Sequence, residues 1–334
     1  VSVQEQLSVT PSFQFRWEAR RIVLVGSGDQ VRRLSHRITA NRNLRTEVVR
    51  IVQPSSEEDG EDLAKQLTPE SLRREQVWGI VVAADLARRL PAPLLLQCRL
   101  NGIRVLDEGS FWEREARCID VDGTHPSWLL SGDGFRYGRL KALGKRLFDL
   151  IVAVALIVLT LPLMLIVAVL IKCESRGPVL YRQERVGWRG RVFVLFKFRS
   201  MRPDAEAGGT PVWAAPRDSR VTRVGRFIRY TRIDELPQLW NVLRGEMSIV
   251  GPRPERPYFV ERLTAAIPCY AARHCVKPGL TGWAQINAPY GASFEDAREK
   301  LRYDLYYIKN YSLLFDLRIL LSTLRVVLFQ EGAR

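Results

Sequence analysis

The sequence predicts an α/β protein in two units, a parallel-sheet unit and a mainly helical one, with an apolar helix between them. Three observations predict it. Short β-branched runs alternate with helical stretches from Arg21 to Asp107, 22 uncharged residues run from Leu150 to Ile171, and charge divides unevenly along the 334 residues. Residues 1–135 carry 18 Lys and Arg against 19 Asp and Glu, whereas residues 136–334 carry 33 against 17, so the net charges are −1 and +16. A basic excess confined to one unit calls for an anionic partner there, whether nucleic acid, phosphorylated substrate or acidic lipid.

After an N-terminal segment, 1–20, strands are expected at Ile22–Val25, Glu47–Val52, Gly79–Ala83 and Ile103–Leu106, forming a Rossmann-like domain over residues 21–133. Gly26-Ser27-Gly28 follows the first strand, where a nucleotide-binding turn would sit. Val31, however, replaces the third fingerprint glycine, and the second strand runs out at Gln53 rather than at an acidic residue able to hold a ribose. NAD binding is therefore not expected, which disfavours an oxidoreductase. The acidic stretch Ser55–Asp62 reads as a solvated loop. Ser131-Gly132-Asp133-Gly134 marks the domain boundary, and a basic linker, 134–149, follows it.

Leu150–Ile171 is long enough, as a helix, to cross a bilayer core of about 30 Å. Both flanks are basic, with Lys145 and Arg146 before it and Lys172, Arg176, Arg182 and Arg185 after it, whereas a crossing segment is positive mainly on one side. Pro162 near the middle divides it into arms that each reach about half the core. The expectation is a membrane-embedded re-entrant helix over 150–171, bent at Pro162, with both ends on one face. A buried helical hairpin is the alternative. The five cysteines are odd in number and lack a C-x-x-C pair, so neither a disulfide framework nor a zinc cluster is expected, and a reducing compartment is. The three histidines are scattered. The amino end has no short apolar core with a cleavage site, so no secretory signal is expected, and an initial Val in place of Met leaves room for sequence upstream.

The densest polar cluster runs from Arg226 to Gln238 and sets Arg226, Arg229 and Arg232 immediately before Asp234 and Glu235. Pro237 suits the first turn of a helix and Gly245 its stop, so the carboxylates fall at a helix entrance among arginines able to clamp phosphate oxygens. A carboxylate there can act as a nucleophile without a separate base, being ionised at neutral pH. Two carboxylates can also bind a divalent cation, and both roles can coexist. Glycosidase chemistry is not expected, because adjacent carboxylates rarely flank a glycosidic bond. Three further turns, Lys197–Arg202, Gly251–Pro257 and Pro278–Gln285, add cations, rigid prolines and open backbone suited to a charged nucleotide. Near the carboxyl end, Ser293 with Asp296 marks a capping box before a helix reaching Lys309. Ser312 precedes a helix over Leu313–Phe329, which fits either a lipid surface or the core.

Five motifs carry a resemblance to a known family: Lys145-Arg146-Leu147-Phe148-Asp149, Phe196-Lys197-Phe198-Arg199-Ser200-Met201, Asp234-Glu235-Leu236-Pro237-Gln238-Leu239, Gly251-Pro252-Arg253-Pro254 and Pro278-Gly279-Leu280-Thr281-Gly282. In this order, from Lys145 to Arg334, the chain resembles the bacterial sugar transferase family of monotopic polyprenyl-phosphate phosphoglycosyl transferases, in its exopolysaccharide-initiating branch. The first domain looks like the Rossmann-like domain that precedes the catalytic part in larger members. Such members often carry transmembrane helices upstream that this chain lacks, which leaves both truncation and a shorter variant open. The resemblance implies that residues 172–334 form the catalytic domain, on the cytoplasmic face of the inner membrane. It further implies that Asp234 attacks the sugar-bearing phosphate of a UDP-sugar, releases UMP and becomes a phosphosugar aspartate, which polyprenyl phosphate then attacks. Glu235 helps to hold Mg²⁺ with Asp234. Lys197, Arg199, Arg202, Arg232, Arg253, Arg256 and Gln285 become candidates for substrate contacts. At family level the donor is UDP-glucose or UDP-galactose, and the accessory domain leaves room for a homo-oligomer. Leu161 stands where the family often has Ser before the helix-breaking proline, with Thr160 as a possible substitute. The alternative from another class is a basic protein that binds membrane or nucleic acid without catalysis; the sequence shows no nucleic-acid module, so no nucleic-acid partner is expected.

Overall fold

The computed structural model describes residues 19–41, 44–53, 63, 65–83, 86, 90–121, 134–135, 138–202, 220–288, 291 and 293–329. The chain divides into two compact units, and Arg117 already belongs to the second, ahead of the expected boundary. Local bonds explain why. Ile119 N donates to Arg302 O at 3.0 Å, and Trp283 Nε1 donates to Arg117 O at 2.9 Å. The glycine-bearing stretch 131–133 and the acidic loop 55–62 lie outside the described residues.

The first unit contains β1 (Arg20–Val25), α1 (Gly28–Ala40), β2 (Thr46–Val52), α2 (Pro69–Arg74), β3 (Gly79–Val82), α3 (Ala92–Leu100) and β4 (Arg104–Asp107), then the short α4 (Glu108–Phe111) capped by Asp107. The sheet is parallel throughout, in the order β2-β1-β3-β4. Ile22–Val25 and Ile80–Val82 are apolar without alternation and buried, as central parallel strands covered on both faces must be. A Cβ added at Gly26 would lie 2.7 Å from Ala83 Cβ, so close packing of adjoining strand ends accounts for that glycine. The α/β expectation and all four strands hold to within one or two residues.

The second unit begins with α5, a single helix over Arg139–Glu174 with Pro162 inside it. Its 36 residues make it about 54 Å long. The sequence reading divided this stretch into a basic linker, 134–149, and a membrane helix, 150–171; residues 139–149 instead belong to the same helix. Two charges of that basic segment are buried and paired, Lys145 Nζ lying 3.1 Å from Asp149 Oδ1 and 2.8 Å from Asp316 Oδ2, while Arg139 and Lys141 are exposed. Thr160 Oγ1 donates to Leu156 O at 2.7 Å, beside the proline. Only 11% of the most apolar window of α5 is buried, which removes the buried-hairpin alternative, and its length and composition are enough to cross a membrane.

Both ends of α5 are fastened to the same unit. At its start, Arg146 donates to Val242 O and Leu243 O at 2.6 and 2.7 Å. Near its end, Val167 and Ile171 pack with Phe198 and Ile228. Next come the antiparallel hairpin β5 (Leu180–Val186) and β6 (Val192–Phe198), α6 (Arg223–Tyr230), α7 (Gln238–Arg244), β7 (Ser248–Val250), α8 (Pro257–Ala266) and β8 (Gly279–Thr281). The unit closes with α9 (Trp283–Asn287), α10 (Phe294–Lys309) and α11 (Leu313–Phe329). The parallel pair β7–β8 brings the Gly251 and Gly279–Gly282 turns together so tightly that a Cβ at Gly279 or Gly282 would fall on the Gly251 backbone. The expected capping box opens α10, with Asp296 N donating to Ser293 Oγ at 3.1 Å and Ser293 N to Asp296 Oδ2 at 2.9 Å.

Candidate active site

The site forms where α6 stops. Thr222 caps that helix, its Oγ1 accepting from Gly225 N at 2.9 Å. At the far end Arg232 adopts a left-handed conformation, φ 61°, and turns the chain into a 3₁₀ turn over Ile233–Glu235. Pro237 then enters α7, and Gly245, φ 81°, ends it, as the helix signals predict. Asp234 and Glu235 become buried here, each 8% exposed.

Their environments diverge. Glu235 Oε1 accepts from Lys197 Nζ at 3.0 Å and from Arg253 Nη2 at 2.7 Å, with Arg232 Nη1 at 4.0 Å. Burial alone would raise its pKa, but Arg253 and Lys197 outweigh burial and hold the carboxyl well below the ordinary glutamate range. Asp234 has no hydrogen bond or ion pair among the described residues. Burial, reinforced by Glu235, raises its pKa against the opposing pull of Lys197, Arg253 and Arg232. One carboxylate is therefore immobilised and firmly ionised, while its neighbour is unengaged and more basic.

Arg253 is itself held in place. Its loop, Gly251-Pro252-Arg253-Pro254, has two prolines without N–H groups, so donors from elsewhere satisfy its carbonyls. Arg273 Nη2 donates to Arg253 O at 2.9 Å, Arg185 Nη1 to Pro254 O at 3.0 Å, and Val186 N to Glu255 O at 2.9 Å. Arg273 is buried and also bonds Asp304 Oδ2 at 2.8 Å and Tyr270 OH at 2.6 Å. Burial opposes its charge, but Tyr270, Asp304 and Glu255 overcome that and keep the guanidinium protonated.

Of the residues singled out from sequence, Lys197, Arg232 and Arg253 converge on Glu235. Arg199 does not join them: it donates to Ser175 O and Oγ, both at 2.8 Å, and to Arg176 O at 3.0 Å, holding the carbonyl end of α5. The Ser175 and Arg176 carbonyls, at and just beyond the C-cap of α5, engage both terminal guanidinium nitrogens, so this side chain is turned to the helix end and not to the Asp234–Glu235 pair. Arg202 is exposed, and Arg256 is the N-cap of α8. Gln285 Nε2 donates to Leu280 O at 3.3 Å, while its buried Oε1 has no hydrogen bond among the described residues. Arg273 and Asp304 have no signal in the sequence, lying 31 positions apart with no local pattern joining them, and Arg185 stands out there only as part of the basic flank of the apolar helix.

Among the described residues no cluster of three or more metal-binding side chains occurs. The neighbouring carboxylates are Asp234, open, and Glu235, already accepting from Lys197 and Arg253; Mg²⁺ is usually held by one or two carboxylates with substrate phosphates supplying further oxygens.

A family model described as bacterial sugar transferase matches residues 140–330. The UDP-N-acetylgalactosamine-undecaprenyl-phosphate N-acetylgalactosaminephosphotransferase of Aeromonas hydrophila is 45% identical over 240 residues, covering 72% of this chain and 56% of that protein. The undecaprenyl-phosphate glucose phosphotransferase of Komagataeibacter xylinus is 34% identical over 324 residues, covering 94% of this chain and 60% of that protein. The UDP-glucose:undecaprenyl-phosphate glucose-1-phosphate transferase of Xanthomonas campestris pv. campestris is 35% identical over 330 residues, covering 95% and 68%. The chain thus spans between 56% and 68% of the length of these relatives. The matched region contains the whole Asp234–Glu235 site and its supporting arginines, and the chain belongs to the bacterial sugar transferase family.

Proposed function

We propose that the protein transfers a phosphosugar from a UDP-sugar to polyprenyl phosphate, at a membrane, through a covalent intermediate on Asp234. The observation that carries this reading is the contrast within the pair: Lys197 and Arg253 immobilise Glu235, whereas Asp234 is equally buried yet has no hydrogen bond or ion pair among the described residues. An unengaged carboxylate beside fixed cations can attack a phosphate whose charge those cations offset. An Asp234 oxygen forms a bond to the sugar-bearing phosphorus, the bond from that phosphorus to the UMP oxygen breaks, and UMP leaves. A phosphate oxygen of polyprenyl phosphate then bonds to the same phosphorus as the Asp234–phosphorus bond breaks, giving a polyprenyl diphosphate sugar. Mg²⁺, held by Asp234 and Glu235 with diphosphate oxygens, would lower the repulsion between anions. Arg253 and Lys197 keep Glu235 ionised and in place, and Arg232 at the turn adds positive charge towards the donor.

Membrane association follows from the exposed apolar face of α5. A re-entrant path is supported by the attachment of both helix ends to one folded unit, and the basic flanks of the apolar stretch favour the cytoplasmic face of the inner membrane. The first unit is read as a Rossmann-like scaffold. The names of the relatives differ in sugar, so the donor must be found by assay. The decisive test is UMP release by detergent-solubilised protein from UDP-glucose, UDP-galactose and UDP-N-acetylgalactosamine, with polyprenyl phosphate and Mg²⁺ present or omitted. Release dependent on lipid and metal supports the reading; folded protein inactive on every donor refutes it.

A further inference from the structure

Helix α6 is fastened to the last turns of α5 along one side and open along the other. Ile228, fully buried, packs with Val167, Ile171 and Phe198, and Glu174 accepts from Arg223 N at 2.7 Å and from Val224 N at 3.1 Å. The uncharged run of α5 ends at Ile171, so α6 lies level with the edge of the apolar stretch. Its open side mixes cations with rings. Arg223, Arg226, Phe227 and Tyr230 are exposed, the two rings at 58% and 60%, and the helical repeat sets all four within a sector of about 100°. Gly225 and Ile228 take the opposite, buried side. Arg226 and Arg229 form no hydrogen bond or ion pair among the described residues.

This face leads into the catalytic turn. Four residues carry the chain from Tyr230 to Asp234, a span of at most about 14 Å. Between them Arg232, its side chain half-exposed, sets Nη1 4.0 Å from Glu235 Oε1. The ligand that matches offers phosphate oxygens to the arginines and an apolar body to the rings, and it reaches the protein along the membrane. A nucleotide sugar is polar throughout and arrives from water. A bulk phospholipid meets the arginines, but its binding gives no reason for the face to lead to Asp234. Resting on the transferase reading above, we infer that the open face of α6 docks the lipid acceptor, polyprenyl phosphate. Arg226 and Arg229 take its phosphate oxygens, Phe227 and Tyr230 lie along its first isoprene units, and from there the phosphate passes to the Asp234–Glu235 pair.

The two half-reactions separate an acceptor site from a donor site. The full detergent-solubilised chain is first given UDP-glucose or UDP-N-acetylgalactosamine alone, with UMP release and the phosphosugar adduct followed by intact mass, and polyprenyl phosphate is then added. In the double variant Arg226→Gln, Arg229→Gln the adduct is expected to form at the wild-type rate. Its discharge by polyprenyl phosphate is expected to slow about ten- to a hundredfold as a second-order rate constant, the loss typical of hydrogen bonds to a charged group. Neither arginine holds another part of the fold, so the melting temperature is expected to stay at the wild-type value; should it fall, Arg226→Gln alone gives the same readout. Adduct formation slowed as much as discharge would place these arginines at the donor and overturn the inference. Discharge at the wild-type rate also overturns it and leaves the transferase reading intact; if binding to phosphatidylglycerol vesicles is lost at the same time, the face holds bulk phospholipid instead. A wild type that forms no adduct and releases no UMP from either donor removes both.

Discussion

Replacing Arg273 with Met tests how the Arg253 loop is held. The substitution removes the guanidinium that binds Arg253 O, Tyr270 OH and Asp304 Oδ2, and leaves Asp304, 1% exposed, without its cation. Removing one partner of a buried ion pair costs about 3–5 kcal/mol. At about 2–4 °C per kcal/mol for a unit the size of the second one, which holds both residues, its melting temperature should fall by roughly 6–20 °C. The double variant Arg273→Met, Asp304→Leu replaces the pair with apolar groups and should recover most of that loss, because an apolar pair avoids the burial cost of both charges. Turnover should not recover with it, since the Arg253 carbonyl still lacks its donor and the guanidinium on Glu235 loses its support. The assay combines thermal unfolding with UMP release, arranged as a double-mutant cycle. A single variant as stable as wild type, or a stable double variant with full turnover, would refute the reasoning.

Asp234→Asn should lower UMP release by more than about a thousandfold and abolish the phosphosugar adduct seen by intact mass, because the amide is a poor nucleophile. Its melting temperature should not fall, as burial already disfavours the Asp234 charge. Glu235→Gln should destabilise by about 2 kcal/mol at neutral pH, from weakened bonds to Lys197 and Arg253. Because the folded pKa of Glu235 is depressed, its stabilisation is present above the ordinary glutamate range and is lost as pH falls through the depressed value. The deficit of Glu235→Gln should therefore shrink in acid; a deficit constant across urea unfolding curves from pH 7 to pH 3 would contradict this. For the path of α5, an impermeant maleimide should reach the exposed native Cys173 and a Lys141→Cys residue from the same membrane face, with Cys269 and Cys275 replaced. Labelling from opposite faces would establish a crossing.

What could be read in advance was local. The strands around β1 and β3, the Ser293–Asp296 box and the Pro237–Gly245 limits of α7 depend on near neighbours, so apolar runs and cap residues report them directly. Asp234 and Glu235 were also legible, because adjacent acids among arginines are conspicuous in one stretch of chain. The supporting shell was not. Arg199 and Arg253 look alike in sequence, yet one bonds the carbonyls at the end of α5 and the other grips Glu235, and only tertiary distance tells them apart. Lys145 and Arg146 read only as a basic linker and helix flank because their partners, Asp316 and the carbonyls of α7, are remote in sequence.

The Lys145–Asp149–Asp316 cluster imposes an order on biosynthesis. It joins the opening helix of the second unit to α11, whose Asp316 also accepts from Tyr307 OH at 2.8 Å. While a ribosome is still making α11, Lys145 and Asp149 have emerged but their third member has not. The first unit can settle during translation, since its sheet needs nothing downstream of β4. The second can close its ionic lock only once Asp316 clears the exit tunnel. A chain cut ahead of α11 would thus retain every residue of the Asp234–Glu235 site and still leave a lysine in its core one counter-ion short.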